Sequence, residues 1–527
     1  MMVRVQTKVK LPFLWGKAVF KKSKWSQINL IVGPNGSGKT LLSEQLALQF
    51  EGAGYPVTFL RSDRANEESL LQILNTDLKV RQKIEDVLSN MFGKSIKFEE
   101  RNGVIVPIVI NKLRCVEYNL KDGECHGLKE IITLLIALYS CDSKCLILDE
   151  PELHLHPQFQ LFFMNEIRKV VASDSHRIFF LITHSPFFID LKQPEDLLGV
   201  VVCHVNHVPT YVENLSSEDE VLFRRFLPRF NTYHKQFFFS DNQIFVEGYT
   251  DQKLFSNLLG YVNNKLGSAG TGIIDVGGKD ELGVFFKVCS LLGTNGRIIG
   301  DLDSLFRGKL RDVICEDNRP LEWLMKQEEK QKPFYNLLFT KKELQVPIDL
   351  ERLVCKLELF LVNIGKAIAE IDNSISPEID LLVEKVKILF NKYEKIEDLD
   401  TFKTVILQAV MKIGNELADV LPLPLARTIP LVKNLAYLIF AAAEAARVYI
   451  LPKGCIEHYY TQNEIEYMPI SGKDRLFHAE LEYMNNEDED VIKKKYSQLI
   501  VILEKACSLV LSWWIFFIAV CYELIFL

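Results

Sequence analysis

A chain of 527 residues, 48% hydrophobic and 25% charged, exceeds one ordinary core and calls for two or more domains. Its net charge of −7 excludes a histone-like polycation but leaves room for a local basic patch on a nucleic-acid enzyme. The 11 cysteines contain no Cys-x-x-Cys pair, and the opening Met1 to Lys10 is polar and basic, so structural zinc and secretion are not expected, and free thiols in a cytoplasmic setting are.

The first element with a clear signature runs from Ile28 to Val32, apolar enough to be a buried strand. It is followed by Gly33-Pro34-Asn35-Gly36-Ser37-Gly38-Lys39-Thr40 and a helical pattern over Gly38–Phe50. Glycines at these spacings let backbone N–H groups turn inward and wrap a phosphate at a helix N-terminus. Lys39 can then reach the β- and γ-phosphates, and the Thr40 hydroxyl can ligate Mg²⁺, so the loop predicts a nucleoside triphosphate.

Strands are expected at Val57–Leu60, Val104–Ile110, Cys145–Asp149, Ile178–Thr183 and Val200–Val205. Helices are expected at Glu67–Asn90, Cys125–Tyr139 and Gln158–Ala172. The alternation predicts an α/β fold with helices packed on a sheet. Asp149 closes a buried strand where it can hold Mg²⁺ through water, and Glu150 beside it can polarise the attacking water. About one further strand-and-helix unit along, His184 ends another apolar strand, where it can hydrogen-bond a γ-phosphate.

Between Phe223 and Lys235 the basic residues Arg224, Arg225, Arg229 and Lys235 interleave with Phe223, Phe226, Phe230 and Tyr233. Such a run either tracks a phosphate backbone or forms a helix with aromatics inward and charges in water. The alternation restarts after it: strand Ile244–Val246, helix Gln252–Leu259, strand Ile273–Val276, helix Leu282–Leu292 and strand Arg297–Gly300. Residues 305–446 read as helices, among them Leu350–Ile371 and Ile379–Tyr393, before a last strand at Arg447–Leu451. A small α/β domain with a helical insertion is the economical reading. Ala506–Tyr522 is uncharged and includes Trp513-Trp514; its 17 residues suit a buried closing helix better than a bilayer span.

Glu247 follows the first strand of this second series, Asp251 lies four residues on, and Asp301 and Asp303 end the third. Acids at the ends of parallel strands gather at one sheet edge, where open α/β domains place their sites. Several carboxylates there repel one another unless a hard cation joins them, and Mg²⁺ or Mn²⁺ prefers all-oxygen ligands. That arrangement suits phosphodiester chemistry.

Asp149-Glu150-Pro151-Glu152, followed by His156-Pro157 and later His184, resembles the ABC class of ATPases in its DNA-repair and chromosome-structure branch. The resemblance implies that Leu120-Lys121-Asp122-Gly123-Glu124 is the signature loop, with Lys121 and Gly123 meeting the ATP of a partner head; Lys121 stands where the family has serine. Glu247-Gly248 with Asp301-x-Asp303, and Val276-Gly277-Gly278-Lys279 between them, resembles the Toprim domain of topoisomerases, primases and certain nucleases. The two together resemble the OLD family of ATP-dependent nucleases. By that likeness Lys453 would stabilise charge on the phosphate and Glu457 would complete the metal shell with Glu247, Asp251, Asp301 and Asp303.

The expected organisation is an ABC-type ATPase domain (1–235), a Toprim domain (236–304 and 447–488) with its helical insertion (305–446), and an apolar closing helix (489–527). The expected function is an ATP-regulated DNA endonuclease using Mg²⁺ or Mn²⁺, cutting double-stranded DNA as a homodimer or higher oligomer. The resemblance adds a role in anti-phage defence, with a partner protein or small nucleic-acid element. The competing expectations are an ATP-gated DNA sensor or clamp that does not cut, and an effector anchored in a membrane through Trp513-Trp514.

Overall fold

The computed structural model describes residues 2–64, 73–74, 76–92, 95–101, 104–111, 116–119, 126–140, 144–205, 207–240, 242–263, 270–294, 296–372, 376–391, 396–461 and 467–508. These form two compact units, Met1–Asp241 with Leu291–Thr294, and Asn242–Ser290 with Asn295–Leu527.

The first unit opens with an antiparallel ribbon, β1 (Val3–Val9) and β2 (Phe20–Trp25). Its strict alternation of buried and exposed residues is the period-2 signature of a half-buried strand, visible in Val-Arg-Val-Gln-Thr-Lys-Val but absent from the expectations above. The ribbon is anchored by Trp25, fully buried against the edges of Phe50 and Phe180. Next in order come β3 (Ile28–Val32), α1 (Lys39–Gly52), β4 (Val57–Leu60), α2 (Leu78–Phe92), β5 (Ser95–Arg101), β6 (Val104–Asn111), β7 (Val116–Asn119), α3 (His126–Tyr139), β8 (Cys145–Asp149), α4 (Pro157–Ser173), β9 (Ile178–Ile182), β10 (Val200–Val202), β11 (Thr210–Tyr211) and α5 (Ser217–Phe226).

The main sheet has the order β11-β10-β3-β9-β8-β4, parallel throughout except for β11. Its central strands are buried on both faces, which is why they read as continuous apolar runs rather than alternating ones. β6 is not in it: it pairs with β5 and β7 in a separate antiparallel sheet. The strand expected over Val200–Val205 ends at Val202. The helix expected from Glu67 is described from Leu78, and residues 65–72 lie outside the described residues. Phe223, Phe226 and Phe230 are buried while Arg224 and Arg225 are exposed, so α5 has its aromatics inward and its charges in water.

The second unit runs β12 (Asn242–Val246), α6 (Tyr249–Leu258), β13 (Thr271–Asp275), α7 (Lys279–Leu292) and β14 (Gly296–Gly300). The helices α8 (Lys309–Glu316), α9 (Asn318–Leu338), α10 (Leu350–Ala369), α11 (Pro377–Asn391), α12 (Ile396–Val420) and α13 (Ile429–Ala445) intervene before β15 (Val448–Ile450). The last described elements are α14 (Lys473–Asn486), α15 (Glu489–Lys495) and α16 (Ser497–Cys507). All four strands are parallel in the order β13-β12-β14-β15, so the insertion interrupts the sheet sequence without breaking the sheet.

The core of this unit joins Ile244, Val246, Leu254 and Phe255 to Leu499, Leu503 and Ala506 of α16. α16 is therefore a packing element. Where one closing helix was expected over 489–527 there are two short helices, α15 and α16, and residues 509–527, with Trp513 and Trp514, lie outside the described residues. In the insertion α10 buries Leu353, Leu357, Leu361, Ile364 and Ile368, a helical stripe. It crosses α12 so closely at Gly365 that a Cβ there would lie 2.3 Å from the Phe402 ring. Among the described residues one stretch, Leu423–Ala445, is long and apolar enough to cross a membrane; its helix α13 buries Val432, Leu435, Ala436, Ile439, Ala442 and Ala443 in the insertion core.

Candidate functional site

In the phosphate loop Gly33, Gly36 and Gly38 have φ of +140°, +76° and +82°. Gly33 is also pressed against β10: a Cβ there would sit 2.3 Å from the Cys203 carbonyl oxygen. Lys39 is buried, and its ammonium donates to the carbonyls of Gly33 (3.0 Å) and Pro34 (2.9 Å), which holds it inside the loop's curl. Burial lowers its pKa, and the nearby Cys203, Glu150, Asp149 and Glu152 oppose the shift. The Ser37 hydroxyl closes the loop onto Pro34 O at 2.8 Å, and Asn35 is exposed on its rim.

The Thr40 hydroxyl donates to the Asp149 carboxylate at 3.2 Å, so the two expected Mg²⁺ contacts meet although β9 separates β3 from β8. Asp149 is buried, and burial raises its pKa against the Thr40 hydrogen bond and the charges of Arg64 and Lys39. Glu150 sits at φ +47°, a left-handed conformation that disfavours a side chain, and its N–H donates to Ile182 O at 2.9 Å. Arg64 fixes this turn, donating to the carbonyls of Asp149 (3.0 Å) and Glu150 (3.1 Å) while its Nε pairs with Glu130 at 2.5 Å.

Glu152 accepts from the His184 backbone N–H at 2.6 Å and from the Thr183 hydroxyl at 2.9 Å, which sets the position of His184 at the end of β9. Burial, then the charge of Lys39, lowers the His184 pKa and favours the neutral ring. Neither Arg64 nor Glu152 had been assigned a role from sequence. Glu152 lies in the quoted Asp149-Glu150-Pro151-Glu152 run, whereas nothing local marks Arg64. The expected signature residues Lys121 and Gly123 lie outside the described residues. The loop thus brings together Gly33, Asn35, Gly36, Ser37, Gly38, Lys39 and Thr40 with Asp149, Glu150 and His184.

In the second unit β12 and β14 are hydrogen-bonded neighbours, with Phe245 opposite Ile298, so Glu247 and Asp301 leave adjacent strands on one edge. Asp303 follows in a short 3₁₀ turn, Asp251 in the first turn of α6 accepts from Gly248 N at 3.1 Å, and Glu457 comes from the turn after β15. Asp301 and Glu457 are almost fully buried. Burial raises the pKa of Glu247, of Asp251 (to about 7) and of Asp301, and the acids raise one another further. Lys279 forms an ion pair with Asp303, and Lys473 lies 3.2 Å from Glu457.

In this cluster Glu247 Oε2 and Asp303 Oδ1 are buried without a hydrogen-bond partner. An all-oxygen donor set with orphaned anionic oxygens fits a hard divalent cation. As the side chains stand, no three of these acids among the described residues come close enough to share one ion. Lys279 and Lys473 instead supply the countercharge, and neither had been assigned a role from sequence. Lys279 follows Gly277-Gly278 at the end of β13, so the strand-end argument used for the acids would have reached it. Lys453 is exposed, with its ammonium 4.7 Å from the Tyr459 ring centroid. The ion pairs onto the acids come from the other two lysines.

A family model described as overcoming lysogenization defect protein-like, TOPRIM domain, matches residues 238–303, and an AAA ATPase domain model matches residues 121–189. An "OLD nuclease" of Thermus scotoductus is 30% identical over 166 residues, covering 30% of each chain. "Endonuclease GajA" of Bacillus cereus is 26% identical over 180 residues, covering 30% of this chain and 26% of its own. The chain thus spans less than a third of the length of these curated relatives. Stu0660 of Streptococcus thermophilus, a solved structure, aligns at a TM-score of 0.25 with 13% identity over 45% of this chain and 86% of its own, too slight a likeness to argue from. In its domain content the chain carries an AAA-type ATPase segment followed by an OLD-like Toprim segment, and in this it is similar to the overcoming-lysogenization-defect nucleases.

Proposed function

We propose that the chain is an ATP-regulated, divalent-metal-dependent endonuclease that acts on double-stranded DNA in the cytoplasm, as a homodimer or higher oligomer, in defence against phage. The observation that carries this reading is the emergence of Glu247 and of Asp301 with Asp303 from neighbouring parallel strands on one sheet edge, where Asp251 and Glu457 are near enough for the acids to raise one another's pKa. The matched Toprim segment, and relatives named nuclease and endonuclease, support it. In this reading residues 1–235 are the ATPase domain, 236–304 with 447–488 the Toprim domain, 305–446 its insertion and 489–527 the closing helix.

Glu247, Asp251, Asp301, Asp303 and Glu457 would hold Mg²⁺ or Mn²⁺, which supplies Lewis-acid stabilisation of the attacking and leaving oxygens. Lys453, exposed at the same edge, offers positive charge to the scissile phosphate. Lys279 and Lys473 hold the charge of the acids in check. In the ATPase half Lys39 and the loop N–H groups bind the phosphates, and Thr40 with Asp149 holds the ATP-bound Mg²⁺. Glu150 orients water, His184 meets the γ-phosphate, and Lys121 and Gly123 act on a partner's nucleotide. A partner protein or small nucleic-acid element belongs to the same reading.

The pairing of Lys279 with Asp303 and Lys473 with Glu457 favours a second reading, an ATP-gated DNA sensor in which the acids stay neutralised. Supercoiled plasmid incubated with Mg²⁺ or Mn²⁺, with and without ATP, separates the two. Nicking or linearisation by the wild type and none by Asp301→Ala supports the nuclease. Plasmid binding without cutting in every condition supports the sensor.

A further inference from the structure

Gln408 belongs to the helical insertion, near the middle of α12, yet its side chain is 5% exposed and points at the loop that follows β15. Its Nε2 donates to the carbonyl of Lys453 at 2.7 Å and lies 2.6 Å from His458 Nε2. Its Oε1 accepts from the Met468 backbone N–H at 3.0 Å. A backbone N–H can only donate, so that contact fixes the orientation of the amide and directs both Nε2 hydrogens at the loop. His458 Nε2 faces that amide, and its Nδ1 lies 3.1 Å from both the backbone nitrogen and the Sγ of Cys455.

The loop is built to receive this amide. Gly454 has φ +129°, and a Cβ there would stand 2.7 Å from Gln408 Nε2 and 2.8 Å from His458 Nδ1. Gly454 O in turn accepts from the N–H of Leu302, the residue between Asp301 and Asp303, at 2.8 Å. One buried amide is therefore bonded directly to the loop carrying Lys453 and Glu457, and at one remove to the turn carrying Asp301 and Asp303. Pairing every hydrogen-bonding atom of a buried side chain fixes a loop more firmly than packing alone.

We propose that Gln408 is a positioning residue for the Toprim site, the side chain through which the insertion clamps the loop from Lys453 to His458 in its working geometry. The claim about loop order stands on the contacts above, while its consequence for cutting rests on the nuclease reading.

Gln408→Met keeps the length of the side chain and removes all three contacts, and is tested in the full-length protein. Hydrogen exchange of the amides at 453–458 is expected to rise at least tenfold. The turnover number for plasmid nicking is expected to fall about 10- to 100-fold, the scale of cost for a misplaced catalytic group. The KM for DNA and the affinity for ATP stay near wild type. Wild-type exchange across the loop overturns the clamp, whatever happens to nicking, and so does faster exchange accompanied by wild-type turnover. If the wild type does not cut DNA, the nuclease reading fails on its own, and the exchange measurement alone decides the clamp. Should Gln408→Met fail to fold, Gln408→Glu, which keeps the acceptor for Met468 and loses the donors, is read on the same two measurements.

Discussion

Lys279 and Asp303 form an ion pair across the mouth of β12, since β13 and β14, the strands that lead to them, flank that strand on opposite sides. The pair stands over the point where Glu247 emerges, and after burial Lys279 is the strongest charge acting on Glu247. The lysine occupies the electrostatic role that a divalent cation would take, which makes the two competitors.

Lys279→Met is accordingly expected to lower the stability of the metal-free protein by about 1–3 kcal/mol. This is less than for a fully buried pair, because the two side chains remain 15% and 22% exposed. Mn²⁺ is expected to bind the variant about threefold or more tightly, because a like charge has left the site. Thermal melts with and without Mn²⁺, with calorimetric titration of the ion, check both. Weaker Mn²⁺ binding by the variant would mean that the lysine supports the cation instead of competing with it.

The acid cluster makes stability depend on pH in a direction opposite to that of a salt-bridged carboxylate. Burial and neighbouring acids raise Asp251 from the ordinary carboxylate range to about 7, so the folded state holds its proton where the unfolded chain has lost it. The contribution is intact below about pH 4 and is lost as the pH rises toward 7. The metal-free protein should therefore melt lower at pH 7.5 than at pH 5, and Asp251→Asn should flatten that slope. Mn²⁺ binding should strengthen over the same interval, because the ligands must be deprotonated. A difference between wild type and Asp251→Asn that grows with opposite sign would refute the assignment.

On the ATPase side Arg64 holds the carbonyls of both Asp149 and Glu150, and Glu150 carries backbone strain that such bonds must counter. Arg64→Ala should leave ATP affinity within about threefold and lower single-turnover hydrolysis about 10- to 100-fold, since Glu150, proposed to polarise the attacking water, loses its fixed geometry. Loss of binding and hydrolysis together would place Arg64 in nucleotide binding.

These cases mark where the sequence was legible. The strand-loop-helix around Lys39, the strands ending in Asp149, Glu247 and Asp301, and the helical insertion all announce themselves within ten to twenty residues, through apolar runs and glycine spacing. The ribbon of Val3–Val9 was equally legible in its alternation, but carries no chemistry to draw attention to it. What local pattern does not encode is which distant polar group supports a site. Arg64 lies 86 positions from Glu150, and Gln408 lies 45 from Lys453. Both are single polar residues that reach backbone groups far along the chain, and a backbone group leaves no mark in a sequence. Likewise β6 was correctly an apolar strand, yet nothing within it said that it pairs with β5 and β7 instead of joining the main sheet.

The phosphate loop offers a sharper test of why a particular glycine is there. Gly33 combines φ +140° with a would-be Cβ 2.3 Å from the backbone oxygen of Cys203, an atom that moves only if β10 moves with it. Gly54, at φ +84°, has nothing within 4 Å of the same position. Gly54→Ala should therefore cost only the conformational term, about 1–2 kcal/mol, and leave ATP binding intact. Gly33→Ala adds a collision with the main chain, and should cost about 3 kcal/mol or more while abolishing ATP binding through the displaced loop. Denaturant unfolding of both variants, with titration of a fluorescent ATP analogue, measures the contrast. Equal losses of stability would show that the contact between Gly33 and Cys203 relaxes at little cost, and that conformation alone explains the glycine.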